Sequence, residues 1–258
     1  MSKQIDYRFY ATLLDAFQNY LDSDKIYMKY WGFSENPQYT EDEFRQKQFE
    51  GLIDRINRVP CDSEVADRGT AFNEVIDCIV LGKDNGKVKV SRVRNENNIL
   101  IGLKCKYNER EFYFPMTVIR EFSEYYKGAL PQQYIQGVLP TSAGNVVLYG
   151  YIDYILPLST HDLKTTRQYS VGNYKNHWQH IVYPYCLSQN GCNVPDSEYN
   201  ILEITERKSG NTFATFTESY SFVAERDVPR LISHCEDLIY FLNENRNLIN
   251  DRKVYNYR

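Results

Sequence analysis

The chain predicts an α/β domain with a helical N-terminal portion, and three observations carry that expectation. Apolar residues recur at helical spacing in the first sixty positions, short β-rich runs fill residues 86 to 115, and strand-like and helix-like segments then alternate to the end. No internal repeat, low-complexity tract or long Pro/Gly/Ser linker divides the 258 residues, so a single domain over 1–258 is expected.

The elements follow in order. Residues 5–22, IDYRFYATLLDAFQNYLD, put Tyr10, Leu13, Leu14 and Phe17 on one face of a helix. KYWGFSENPQY reads as a turn-rich connection, and TEDEFRQKQFEGLIDRIN as a second helix with Thr40 as N-cap and Glu43 three residues on. KVKVSRV, NILIGLKCKY and REFYFP form a meander of strands, and MTVIREFSEYYKGA returns to helix. QQYIQGVLP and NVVLYGYIDYILP are strands joined through TSAGN; after HDLKTT a loop leads to the helix NYKNHWQHIVYPYCLSQNG. Two more strands, EYNILEITER and TFATFTESYSF, precede a closing helix over about 227–250.

Composition narrows the function. The net charge of −4 supplies no global positive field for nucleic acid, so any such binding needs a local patch. One candidate is KVKVSRVR, with Lys87, Lys89, Arg92 and Arg94, which reads more readily as a solvated strand face. No window approaches the roughly eighteen apolar residues of a membrane span, and the N-terminus lacks a signal-peptide core, so a cytoplasmic protein with no membrane partner is expected. The six cysteines contain no C-x-x-C pair and read as buried free thiols. Tyrosine is unusually frequent, 23 against 2 tryptophans, which keeps a Tyr-rich interaction protein among the readings.

The stretch GYIDYILPLSTHDLKTT raises the sharpest question. If 146–156 and 160–166 are antiparallel strands turning near Pro157 and Leu158, Asp153 and Asp162 face one another. Like charges opposed across a strand pair are destabilising, and a divalent cation between them would turn the repulsion into coordination. Alternation puts Asp162 and Lys164 on one face and Leu163 on the other. Hard oxygen ligands favour Mg²⁺ or Mn²⁺ over zinc. The alternative is a polar hairpin end kept soluble by its charges, with Lys164 paired to one aspartate.

An acidic helix, then D-x8-D-x-K on a hairpin, then a helix bearing Q-x3-Y resembles the PD-(D/E)XK nuclease superfamily, in its RecB-like and phage exonuclease branch. The matching pieces are RGTAFNEVID (68–77), GYIDYI (150–155), HDLKTT (161–166) and QHIVY (179–183). The resemblance implies a restriction-endonuclease-like core over 66–205, a central mixed sheet flanked by helices, with extra β-strands inserted between the first and second motifs. It implies a Mg²⁺- or Mn²⁺-dependent deoxyribonuclease, an exonuclease or DNA-processing enzyme of phage, mobile-element or recombination type.

Carried over position by position, Asp153 and Asp162 would be metal-binding carboxylates, the carbonyl of Leu163 a further ligand and Lys164 the catalytic lysine. Gln179 and Tyr183 would support the site, and Arg167, Lys175 and His177 are candidate DNA contacts. Asn73 stands where that branch usually has histidine, with Glu74 beside it. On a helical wheel both flank the apolar arc of Ala71, Phe72, Val75, Ile76, Cys78 and Ile79, so either is a candidate ligand, and the carboxylate of Glu74 is the stronger donor. The missing histidine opens a second reading, a catalytically weakened nuclease fold that binds nucleic acid or acts in assembly. A homo-oligomer or a recombination partner protein is compatible with the resemblance. Some relatives hold an iron–sulfur cluster on four cysteines; Cys186, Cys192 and Cys235 form no tight trio, and no cluster is expected.

Overall fold

A computed structural model of the chain describes residues 5–84, 86–208 and 210–256. In chain order the elements are β1 (Tyr7–Tyr10), α1 (Ala11–Leu21), α2 (Ser23–Tyr30), α3 (Glu41–Ile56), α4 (Glu64–Leu81), β2 (Lys89–Arg94), β3 (Leu100–Tyr107), β4 (Arg110–Pro115), α5 (Met116–Tyr125), β5 (Leu130–Thr141), β6 (Gly144–Ile155), β7 (Ser159–Thr166), α6 (Gln179–Gln189), β8 (Asp196–Thr205), β9 (Thr212–Ser221) and α7 (Ala224–Glu244). The architecture is α/β, with a mixed sheet flanked by helices. Strands run β1-β6-β7-β8-β9 with β5 also on β6, while β2, β3 and β4 form a separate antiparallel sheet. Among the described residues no helix is long and apolar enough to cross a membrane.

Two apolar clusters cover the large sheet. One joins β1, β5 and β6 to α1, α3, α6 and α7 through Phe9, Leu14, Phe17, Leu148, Val182 and Leu238. The other joins α4, α5 and the small sheet to Tyr154, Leu163, Leu202 and Ile204. Burial of these side chains, worth about 1.5–3 kcal/mol each, is the main force setting the helices against the strands.

Most elements match the sequence pattern. The α3 start is a complete capping box: Thr40 Oγ1 accepts from Glu43 N, and Glu43 Oε2 accepts from Thr40 N at 2.8 Å. Four expectations need correction. Residues 7–10 are a strand, because YRFY is rich in β-forming aromatics and pairs in parallel with Val146–Tyr149 while Phe9 enters the core. Tyr10 is thus the extended N-cap of α1 and lies off its helical face. The connection KYWGFSENPQY loses its first two residues to a helix, since Lys29 and Tyr30 close α2, and is turns and bends from Trp31 on. The sixth helix begins at Gln179, because Asn173–His177 is taken up by a sequence of turns. The last helix ends at Glu244, where the Asn-rich stretch that follows favours turns over helix.

The register of β6 makes an opening in the sheet. On one edge β1 pairs with Val146–Tyr149, and β7 joins only at Tyr154 and Ile155. Among the described residues no strand pairs with Gly150–Asp153 on that edge, and Asp153 lies at the end of the gap.

Candidate active site

The hairpin has the expected register and a shorter ladder. Tyr154 pairs with His161 and Ile155 with Thr160, then the strands part and β7 continues in parallel with β8. Continued by alternation, the antiparallel ladder would give the Leu163 N–H to the carbonyl of Ile152. Instead Leu163 N donates to Asp153 Oδ2 at 2.9 Å, so the carboxylate takes over a backbone hydrogen bond that the ladder drops. The two aspartates therefore stand where the strands separate, beyond the last ladder pair.

Leu163 is buried with Tyr154 and the α4 side chains, while its neighbours point the other way, to α6. Lys164 Nζ lies 2.5 Å from Asp162 Oδ2 and donates to Gln179 Oε1 at 2.8 Å. Gln179 Nε2 donates to Asp162 Oδ1 at 2.6 Å and to the Tyr183 hydroxyl at 3.3 Å. Gln179, Tyr183 and Asp162 are all buried, so Q-x3-Y is an interior relay and not a polar helix surface. Space for it is made at Gly150: a Cβ there would meet Tyr183 Cε1 at 2.8 Å. The Tyr199 ring lies under the lysine, 5.9 Å from Nζ to its centroid. Pro184 is accommodated inside α6, after both motif residues.

Helix α4 supplies the remaining wall. It approaches β7 closely at Gly69, where a Cβ would lie 3.1 Å from Thr165 Oγ1. One turn on, Asn73 Nδ2 reaches Asp153 Oδ2 at 3.5 Å, and Asn73 Oδ1 is buried without a hydrogen-bond partner. Glu74 is turned to the side, in an ion pair with Lys87 at 2.7 Å. The apolar arc of this helix differs at its end: Ile79 is exposed, Cys78 half-buried, and Asp77 is buried, hydrogen-bonded by the Tyr154 hydroxyl.

The electrostatics follow from this packing. Burial, reinforced by the Asp162 charge, pushes the Asp153 carboxyl up to about 7, against the lowering effect of Lys164 and the Leu163 N–H. Burial works against the Lys164 ammonium, Asp162 and Asp153 work for it, and the balance holds its pKa above the ordinary value. Burial also keeps the Tyr183 phenol neutral.

A hard divalent cation fits part of this donor set. The oxygen donors grouped here are the Asp153 and Asp162 carboxylates and the orphaned amide oxygen of Asn73, with Leu163 on the same strand as Asp162. Among the described residues no group of three or more His, Cys, Asp or Glu side chains forms a metal-ligand set, so a cation here would depend on neutral oxygens as well as the two carboxylates.

Of the candidate nucleic-acid contacts, Arg167 Nε is 4.0 Å from Glu206, His177 Nδ1 is 3.4 Å from Asp15, and Lys175 is exposed. In the KVKVSRVR patch, Lys87 is the partner of Glu74, and Lys89, Arg92 and Arg94 are exposed on the edge strand β2. Cys61 and Cys192 are exposed, Cys78 is half-buried, and Cys105, Cys186 and Cys235 are buried thiols.

Three neighbours of the site had no signal in local pattern. Asp15 on α1 accepts the Trp178 N–H at 2.6 Å and so fixes the start of α6, one residue before Gln179. Tyr199 comes from β8, and Asp77, which closes the RGTAFNEVID piece, is given no role by the sequence pattern and is buried against the Tyr154 hydroxyl.

The chain matches no family model and no curated protein. It is similar to a solved structure, the crystal structure of SSO0001, at 10% identity and a TM-score of 0.43, over 92% of this chain and 78% of that one.

Proposed function

We propose that the protein is a metal-dependent nuclease with a restriction-endonuclease-like core that hydrolyses phosphodiester bonds in DNA. One observation carries this reading: the Asp162–Lys164 ion pair, clasped by Gln179, stands beside Asp153 at the point where β6 and β7 part. A solvated hairpin end would not bury Asp162 and clasp its half-buried lysine partner with a buried glutamine.

Asp153, Asp162, the Leu163 carbonyl and Asn73 Oδ1 would hold a Mg²⁺ or Mn²⁺ ion. When bound, such an ion supplies Lewis acidity and lowers the pKa of water. The chain's own groups do the rest. Lys164 is held in its charged form, which suits it to stabilise negative charge on the phosphoryl oxygens more than to accept a proton. Gln179 aims that ammonium, and Tyr183 backs Gln179 as a neutral phenol.

The test is cleavage of linear double-stranded, linear single-stranded and closed circular DNA with Mg²⁺ and Mn²⁺, run beside Lys164→Ala and Asp162→Ala. Degradation by the wild type that both variants abolish supports the enzyme; activity undiminished in both ends the proposal.

A second reading, a nuclease-fold protein that binds nucleic acid without cutting it, is favoured by the α4 wall. There an amide faces Asp153, and the Glu74 carboxylate is directed to Lys87. DNA binding with no cleavage under any divalent ion would select it.

A further inference from the structure

The ten residues of β9, TFATFTESYS, form the last strand of the large sheet. Their register with β8 runs unbroken from Thr212 to Ser221. Among the described residues no strand pairs with the outer edge of β9, and no turn or loop backbone bonds to residues 213–220. Apart from Glu218 the strand is exposed or half-buried along its whole length. An edge of this kind is a ready template for a further strand.

The other edge strands are blunted against such pairing. β5 carries Pro131 and Pro140, and Gln132 drops out of its register. β2 carries Lys89, Arg92 and Arg94 and a register shift at Val93 and Arg94, β4 has Arg110, Glu111 and Pro115, and β1 is only four residues long. β9 has no proline, lysine or arginine and no shift. Its one charge, Glu218, is buried and turned to the 172–174 backbone, accepting the N–H groups of Gly172, Asn173 and Tyr174 at 2.8, 3.1 and 3.2 Å.

We infer that β9 pairs in antiparallel fashion with β9 of a second copy of this chain, so that one sheet runs through a two-fold dimer. The composition selects a copy over a charged partner. A strand on a two-fold axis meets its own side chains, and a charge near the centre would face its like. The centre of β9 is uncharged. Centred on Phe216, which is 39% exposed, the pairing sets Phe216 against its own copy and Thr215 against Thr217, aromatic and Thr–Thr pairs of the kind that stabilise neighbouring strands. Lys164 is matched to Ile201 and Ile201 to Phe216, so the two candidate sites lie level on one face of the shared sheet, about 24 Å apart at roughly 4.8 Å per strand. The pairing does not depend on the nuclease reading.

Sedimentation velocity of the full chain over a concentration series tests it. The samples are the wild type, Phe216→Lys, Phe216→Asp, an equal mixture of those two, and Tyr240→Lys, a control at an exposed tyrosine on α7. Circular dichroism checks that each variant is folded. Expected are a wild-type dimer that dissociates on dilution, and a dissociation constant raised about tenfold or more in each Phe216 variant, where like charges meet across the axis. The mixture sets a lysine against an aspartate and re-forms a dimer, a recovery that misfolded variants would not give, and the control behaves as wild type. A wild type monomeric at every concentration, a dimer unmoved by both Phe216 variants, or monomeric variants whose mixture stays monomeric overturns the pairing. A monomer that instead takes an extended peptide of another protein along β9 assigns the edge to a different partner and overturns it as well.

Discussion

Gln179 holds both members of the Asp162–Lys164 ion pair, accepting from the lysine at 2.8 Å and donating to the aspartate at 2.6 Å. One amide on α6 thereby orients two β7 side chains that lie two residues apart, and it sits in the interior where a misplaced dipole cannot be rescued by solvent.

Gln179→Ala should therefore lower kcat for DNA cleavage by about 10- to 100-fold, the usual cost of removing a group that orients a ligand. KM should move by far less, because the chain of contacts runs to Lys164 and not to a surface. Steady-state kinetics on a linear duplex check this, and a fall confined to KM would contradict it.

Asp153 sets a pH dependence. Its folded pKa, about 7, lies above the ordinary carboxylate value, so its contribution to stability is full below about 4 and is lost as pH rises through 7. A divalent cation requires the ionised carboxylate and competes with that proton. Mn²⁺ should thus raise the Tm more at pH 8 than at pH 5.5, measured by differential scanning fluorimetry. Asp153→Asn should raise the metal-free Tm at pH 8 and flatten the metal effect.

The α4 wall makes a contrast between neighbours. Asn73→Ala should weaken Mn²⁺ binding by about tenfold, as removal of a supporting or ligating group does, and Asn73→Asp should strengthen it by adding a carboxylate next to Asp153. Glu74→Gln should change Mn²⁺ affinity less than Asn73→Ala, its main effect being about 0.5–1 kcal/mol of stability from the partly exposed Lys87 pair. Calorimetric titration of the three variants decides the order.

Gly150→Ala tests the packing behind the site. The added Cβ would lie 2.8 Å from Tyr183 Cε1, and overpacking of this kind costs about 1–3 kcal/mol. A Tm lower by several degrees is expected, together with reduced activity, because Tyr183 must shift away from Gln179. An unchanged Tm would mean that the ring yields freely.

Much of this site was legible in the sequence because its parts are local. The hairpin register follows from Asp153, the turn at Pro157 and Asp162, and the i, i+4 spacing of Gln179 and Tyr183 places both on one helix face. The choice between Asn73 and Glu74 was not legible: they flank one arc almost symmetrically, and only the position of Lys87 on the chain beyond α4 draws Glu74 aside. Likewise nothing local marks Asp15, since its partner at Trp178 is far away in sequence. The strand at 7–10 was hidden for the same reason. Its aromatics fit either a helix face or a strand, and the partner that decides, Val146–Tyr149, lies on the other side of the small sheet.

That pairing bears on how the molecule is made. Tyr7 is matched to Val146, so during synthesis β1 must wait for roughly 140 further residues, on the order of ten seconds at ribosomal speed, before its partner strand exists. The three-stranded sheet, by contrast, is built from near neighbours and can form as it emerges. Asp153 and Asp162 lie beyond Val146 in the chain, so the nascent protein carries an unpaired aromatic strand for most of that interval and gains its charged centre only afterwards.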